Sequence, residues 1–105
     1  MAEVIWTDPA LSDLDAIADY IAIENPGAAR ALVQSVFAHV EKLEQHPKLG
    51  PVPGELKGSR YRHLVEPPCY IIYRDAGDSV FVLHVMRFEQ LLKEENLERG
   101  LGDES

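Results

Sequence analysis

The chain has a single cysteine, Cys69, in 105 residues, so no disulfide can form within it and its stability must come from packing. It has no apolar run near the 18 to 20 residues that a membrane helix needs. Its first residues, Met1-Ala2-Glu3-Val4, lack the basic region and apolar stretch of a secretory leader. A cytoplasmic location is the expectation. Basic residues are scarce as well: 10 Lys and Arg stand against 18 Asp and Glu, a formal net charge of −8. Such a field repels phosphate and disfavours general nucleic-acid binding. The histidines, His39, His46, His63 and His84, fall at no metal-ligand spacing. No metal and no cofactor is expected.

What is present points to one domain over residues 1–105, with 93–105 as a flexible tail. The charge is unevenly spread: residues 1–50 hold 3 basic and 8 acidic groups, residues 51–92 hold 5 of each, and residues 93–105 hold 2 and 5. The only locally basic stretch, Lys57 to His63, lies in the neutral part.

The β-branched and aromatic residues 3–7 read as a short strand. Asp8-Pro9 then reads as a cap followed by the first helical residue, because an Asp carboxylate accepts orphan N–H groups and proline has no N–H to leave unpaired. Leu11, Leu14, Ile17, Ala18 and Ile21 recur at helical spacing, which predicts an amphipathic helix ending near Glu24. Asp13, Asp15 and Asp19 fall on other faces and are read as solvated. Asn25-Pro26 repeats the device and opens a second helix carrying Ala29, Leu32, Val33, Val36, Phe37, Val40 and Leu43 on one side. So short a break predicts an antiparallel hairpin, closed at His46-Pro47.

Residues 47–58 carry three prolines and three glycines and read as a loop. Three apolar runs follow, Tyr61 to Val65, Tyr70 to Arg74 and Val80 to Met86. Turn-forming Glu66-Pro67-Pro68-Cys69 and Asp75-Ala76-Gly77-Asp78 separate them, so a meander of hairpins is expected. Phe88 to Arg99 is expected as a short terminal helix or tail. The predicted architecture is α+β, a helical hairpin packed on one face of a mainly antiparallel sheet. The expected core is Ile5, Leu14, Ile17, Ile21, Leu32, Val36, Val40, Leu43, Ile71, Tyr73, Phe81 and Leu83, its strand members open to a one-residue shift.

Trp6-Thr7-Asp8-Pro9-Ala10, the run Asp13 to Ile21, Asn25 to Ala29, Leu43 to Pro47 with Gly50, and Arg62 with Tyr70-Ile71-Ile72-Tyr73-Arg74 together resemble the ParE branch of the ParE/RelE toxin superfamily, over about residues 3 to 87. The resemblance implies the toxin of a type II toxin–antitoxin pair. Its antitoxin, ParD-like, would be a small dimer that binds operator DNA with one part and wraps the toxin with another, so operator DNA is reached only through the antitoxin. ParE-like members act on DNA gyrase by binding; RelE-like members cut mRNA in the ribosome. One fold serves both, so fold alone does not choose.

Metal-free RNA cleavage needs a base for the 2′-OH, cations for the developing charge and a proton donor for the leaving oxygen. The RelE-like cation positions here fall at Val65 or Glu66 and near Phe88, and no tyrosine follows Tyr73. A non-enzymatic gyrase inhibitor is therefore the reading, with mRNA cleavage and a non-toxic antitoxin-binding homologue as alternatives. A departure remains: where the ParE pattern has His-x-x-Arg after its last strand, this chain has Arg87-Phe88-Glu89-Gln90. No catalytic residue is assigned. The partner-binding candidates are Arg62, Arg74, Arg87, Phe88, Leu91 and Leu92, because guanidinium groups suit acidic antitoxin segments and the apolar residues could form a patch beside them. The alternatives without a partner are solvent exposure in a turn for Arg74, and a sheet-face role or an ion pair with Glu66 or Glu89 for Arg62 and Arg87.

Overall fold

A computed structural model describes residues 1–54 and 60–91. Strand β1 (Glu3–Trp6) leads into helices α1 (Asp8–Ala22) and α2 (Pro26–Glu41), a 3-10 turn (Lys42–Glu44), strands β2 (Tyr61–Glu66), β3 (Cys69–Asp75) and β4 (Ser79–Arg87), and the short helix α3 (Phe88–Leu91). The sheet runs β1-β4-β3-β2, with β1 parallel to β4 and the other pairs antiparallel. The two helices pack on one face, as the α+β expectation has it. The reading of 93–105 as a helix or tail lies outside the described residues.

The cap of α1 is Thr7 and not Asp8. Its hydroxyl accepts from Ala10 N at 3.4 Å and donates to Val82 O at 2.7 Å, while its own N–H donates to the same carbonyl at 3.1 Å. One residue thus ends β1, starts α1 and ties both to β4. Asp8 moves into the first turn, where a carboxylate meets the positive end of the helix. The helix closes at Ala22, short of Glu24, because Glu24 N and Asn25 N both return to Ile21 O. Asn25 caps α2 as expected, its Oδ1 accepting from Ala28 N at 3.0 Å.

Leu14, Ile17, Leu32, Val36, Val40, Leu43, Ile71 and Tyr73 are buried, as expected for the core. Ile21 packs against them half-buried. Ile5, Phe81 and Leu83 do not join the buried core. Directly opposed residues share a face of a sheet, and Ile5, Phe81 and Arg74 oppose one another on the outer face. The helices instead meet Val4 and Trp6 on β1 and Val80, Val82 and Val85 on β4. The spacing 80, 82, 85 breaks strict alternation because the β3 to β4 register shifts at Ile72/Tyr73, where Ile72 opposes His84 but Tyr73 opposes Val82. The extra residue, Leu83, lets a third valine of β4 face the helices.

Beyond Trp6 the free edge of β4 needs another partner, and Asp13 supplies it. Its Oδ2 accepts from Val85 N at 3.1 Å and lies 3.1 Å from His84 Nδ1. Asp15 and Asp19 are exposed as read, but Asp13 is a half-buried edge cap. Asp13→Ala is expected to lower stability by about 1 to 2 kcal/mol by orphaning Val85 N–H, with Asp13→Asn recovering most of it. Urea unfolding of the three proteins checks this; equal midpoints for Asp13→Ala and the parent would refute the capping role.

Candidate partner-binding surface

The candidate arginines occupy three separate places. Arg62 opposes Tyr73 on the helix-facing side of β2, and Arg87 opposes Cys69 on the same side of β4. Tyr73 and Cys69 lie four residues apart on β3, so the two guanidinium-bearing positions are separated by roughly 13 Å along the strands and roughly 10 Å across them. Arg74 lies on the opposite face beside Phe81, its guanidinium carbon 5.0 Å from the ring centroid. Its Nε is buried and has no hydrogen-bond partner.

Each of the two helix-side arginines is engaged internally. Arg62 Nη1 donates to Gly50 O at 2.8 Å. Gly50 N in turn donates to Tyr73 Oη at 2.9 Å, and that hydroxyl donates to Pro47 O at 2.9 Å. These bonds pin the loop after α2 onto β2 and β3. Burial raises the Tyr73 hydroxyl pKa above its usual 10.0, and the Gly50 N–H and the Arg62 charge only partly offset it. Arg87 lies 4.6 Å from the centroid of the Tyr20 ring on α1, and its Nη1 is 3.1 Å from Glu89 Oε1. Of the ion pairs considered for these two, Arg87 makes the one with Glu89. Glu66 lies instead 3.0 Å from His39 Nδ1 on α2.

Arg87 and Phe88 bracket the end of β4. The Phe88 ring lies 4.7 Å from that of Tyr70, which makes an edge contact with His63 at 5.5 Å, while the Phe88 N–H donates to Pro68 O at 2.9 Å. Gln90 Oε1 accepts from Arg87 N at 2.8 Å, closing the first turn of α3 as a reciprocal cap does. Gln90 therefore has a local structural task at the position where the family pattern carries arginine. Leu91 ends α3, and Leu92 lies outside the described residues. The six candidates do not form one patch: Arg87, Phe88 and Leu91 share one end of the sheet, and Arg62 and Arg74 share the other on opposite faces.

Cys69 is fully buried beneath the Arg87 end. Burial pushes its thiol pKa from 9.0 up to about 11, against the pull of the Arg87 charge, so it stays protonated and a poor nucleophile at neutral pH. Among the described residues no group of three or more His, Cys, Asp or Glu could hold a metal ion, and no helix is long and apolar enough to cross a membrane.

Residues 27 to 42 form a feature that the sequence reading passed over. A groove of about 490 Å³ runs between α2 and the β2–β3 turn, walled by Ile21, Leu32, Pro67 and Pro68 with Ala28 and Ala31 at its side. The signal in the chain is the row of exposed small residues Ala28, Ala31, Ser35, Ala38, spaced alternately three and four apart alongside the buried Leu32.

The sequence model for "ParE toxin of type II toxin-antitoxin system, parDE" matches residues 4–92. The chain is similar to Toxin RelE2 of Caulobacter vibrioides, 34% identical over 87 residues, which cover 83% of this chain and 92% of that protein. It also resembles a chain of the chromosomal ParDE system from P. aeruginosa at 32% identity and a TM-score of 0.70, covering 83% of this chain and 96% of that one. A mutant toxin from Helicobacter pylori, 15% identical at a TM-score of 0.52, shares the fold over 87% of this chain and 99% of its own.

Proposed function

The chain belongs to the ParE toxin family of type II toxin–antitoxin systems, and from that membership we propose that it inhibits DNA gyrase by binding it. A cognate, ParD-like antitoxin neutralises it, and the pair represses its own operon through the antitoxin's DNA-binding part. Residues 1–105 act in the cytoplasm as one toxin domain.

The observation that supports binding over RNA cleavage is the dispersal of the three candidate arginines. Cleavage without a metal needs a base, an acid and cationic groups converging on one phosphodiester. Arg62 and Arg87 stand at opposite ends of the sheet, Arg74 is on the other face, and the guanidinium groups of Arg62 and Arg87 are engaged by Gly50 and by Tyr20 with Glu89. A binding mechanism makes no such demand, since recognition draws on a surface and not on one converged set.

The test is a supercoiling and cleavage gel with antitoxin-free protein, gyrase and relaxed plasmid. The expected result is loss of supercoiling with accumulation of linear DNA. Full gyrase activity at excess protein would overturn the proposal. The RelE name of the Caulobacter relative favours a second reading, ribosome-dependent mRNA cutting, for which RNA products from programmed ribosomes are the deciding observation. Absence of both activities would leave a non-toxic antitoxin-binding homologue.

A further inference from the structure

Strand β2 forms one edge of the sheet. In an antiparallel ladder, residues alternate between bonding the neighbouring strand and facing away from it. The Asp75 N–H donates to Arg60 O at 3.4 Å, so Arg60, Arg62, Leu64 and Glu66 turn their backbone groups toward β3, and Tyr61, His63 and Val65 turn theirs outward. An edge of this kind is a template for another strand.

The loop after α2 shuts this edge at its centre. The His63 N–H donates to Pro51 O at 3.1 Å, and Gly50 lies so close over the His63 carbonyl that a Cβ there would sit 2.1 Å from its oxygen. Pro51 and Pro53 have no N–H, so the segment offers only a broken ladder to any further strand. What holds it down comes from inside the fold. The Tyr73 hydroxyl bonds Pro47 O and Gly50 N, and Arg62 bonds Gly50 O. These side-chain bonds secure a cover that meets the edge at His63, and past it Val65 is 46% exposed.

The covered edge is self-complementary. Pairing two β2 strands antiparallel about a two-fold axis at His63 sets Arg62 opposite Leu64, Tyr61 opposite Val65 and Arg60 opposite Glu66 of a second copy, each pair occurring twice. Opposite charges, and an aromatic facing a β-branched residue, are favourable cross-strand pairs, and no like charges stand directly opposed. The neighbouring symmetric register, about Leu64, sets Pro67 opposite Tyr61 and loses a bond for want of an N–H.

We infer that residues 47–54 are a strap that keeps the β2 edge closed to a second copy of this chain, and that two copies with the strap lifted pair edge to edge, β2 antiparallel to β2 about His63. The strapped state is the monomer. The inference goes beyond the toxin reading and is independent of the target.

The experiment is sedimentation velocity on the full chain at about 2 and about 200 µM, a range over which mass action separates a weak dimer from a monomer. The parent is expected to be monomeric at both. Tyr73→Phe removes the bonds to Pro47 and Gly50, and Gly50→Ala drives the strap off His63; each is expected to pass from monomer to dimer across that range. Circular dichroism confirms folding, and either variant carries the test if the other is not folded. Adding Val65→Pro deletes an outward N–H at a position that an edge strand tolerates, and is expected to weaken the dimer at least tenfold. Adding Arg60→Glu is expected to weaken it at least fivefold, and Arg60→Glu with Glu66→Lys to restore it, because the exchanged charges are again complementary. A folded Tyr73→Phe that stays monomeric at the higher concentration overturns the inference, as does a parent that dimerises equally. Association that runs past the dimer, or that Val65→Pro and Arg60→Glu leave unchanged, overturns it as well.

Discussion

Gly50→Ala is expected to destabilise the protein by about 3 kcal/mol, lowering its melting temperature by about 12 °C or more. The added Cβ would sit 2.1 Å from His63 O, 2.8 Å from His63 C and 3.1 Å from Tyr73 Cε1. Two of these atoms are backbone of β2 and the third belongs to a fully buried ring, so no flexible side-chain end can move aside. Relief requires the loop to lift from the sheet. Lifting it stretches the Gly50 N–H bond to Tyr73 Oη and the Arg62 bond to Gly50 O together. The requirement at this position is space and not backbone conformation. A thermal melt within about 3 °C of the parent would show that the loop can retreat without loss.

Tyr73→Phe is expected to cost about 2 to 3 kcal/mol while leaving the packing of the ring intact. The hydroxyl accepts from Gly50 N and donates to Pro47 O, and without it two backbone groups lose their partner in a site with little access to water. Because both substitutions act on the same attachment, the double variant should cost less than the sum of the singles, a coupling that double-mutant analysis by urea unfolding reads directly. Full additivity would mean that the two residues hold the loop independently.

The same residue carries a pH signature. Burial raises the Tyr73 pKa in the folded state above the 10.0 of an exposed tyrosine. Its contribution to stability is therefore whole below pH 10 and is lost as pH rises through the folded value. Cys69 adds an earlier loss, starting at 9.0 and complete near 11, worth about 2 to 3 kcal/mol. Melts between pH 8 and 11 should show the parent falling from pH 9 upward. Tyr73→Phe should keep the Cys69 part of that fall and lose the part that begins above pH 10.

Much of the fold is legible in the chain because its local signals agree with one another. Asn25 and Pro26 announce α2 by their own chemistry, and Leu32, Val36, Val40 and Leu43 mark its buried side by spacing alone. The strands begin and end within a residue of the apolar runs because Pro67-Pro68 and the Asp75 to Asp78 segment bound them. What could not be read depends on residues far apart. That β1 lies beside β4 is a choice among sheet edges, and nothing near Ile5 encodes it. The inward face of β4 went to the wrong residues because Val80, Phe81, Val82 and Leu83 are all apolar and the register shift opposite Ile72/Tyr73 has no local mark. Asp13 looked solvated from its helix alone; only the vacant edge of β4 gives it a partner. The candidate site was legible as residue types but not as an arrangement, since Arg62, Arg74 and Arg87 separate by strand parity and by end of the sheet. The groove beside α2 was not read, because its small residues Ala28, Ala31 and Ser35 signal nothing without the opposite wall, Pro67 and Pro68, which comes from a distant turn.

The parallel pairing of β1 with β4 also orders events during synthesis. Glu3 pairs with Ser79, so β1 waits for β4, roughly 4 to 15 s at ordinary elongation speeds. In that interval the helical hairpin can form, but the β4 valines against which its apolar side packs, Val80, Val82 and Val85, are still to be made. A nascent chain shorter than about 80 residues therefore has no finished sheet. The sheet closes only once residues 3 to 87 have all emerged, so no shorter nascent segment carries the finished surface.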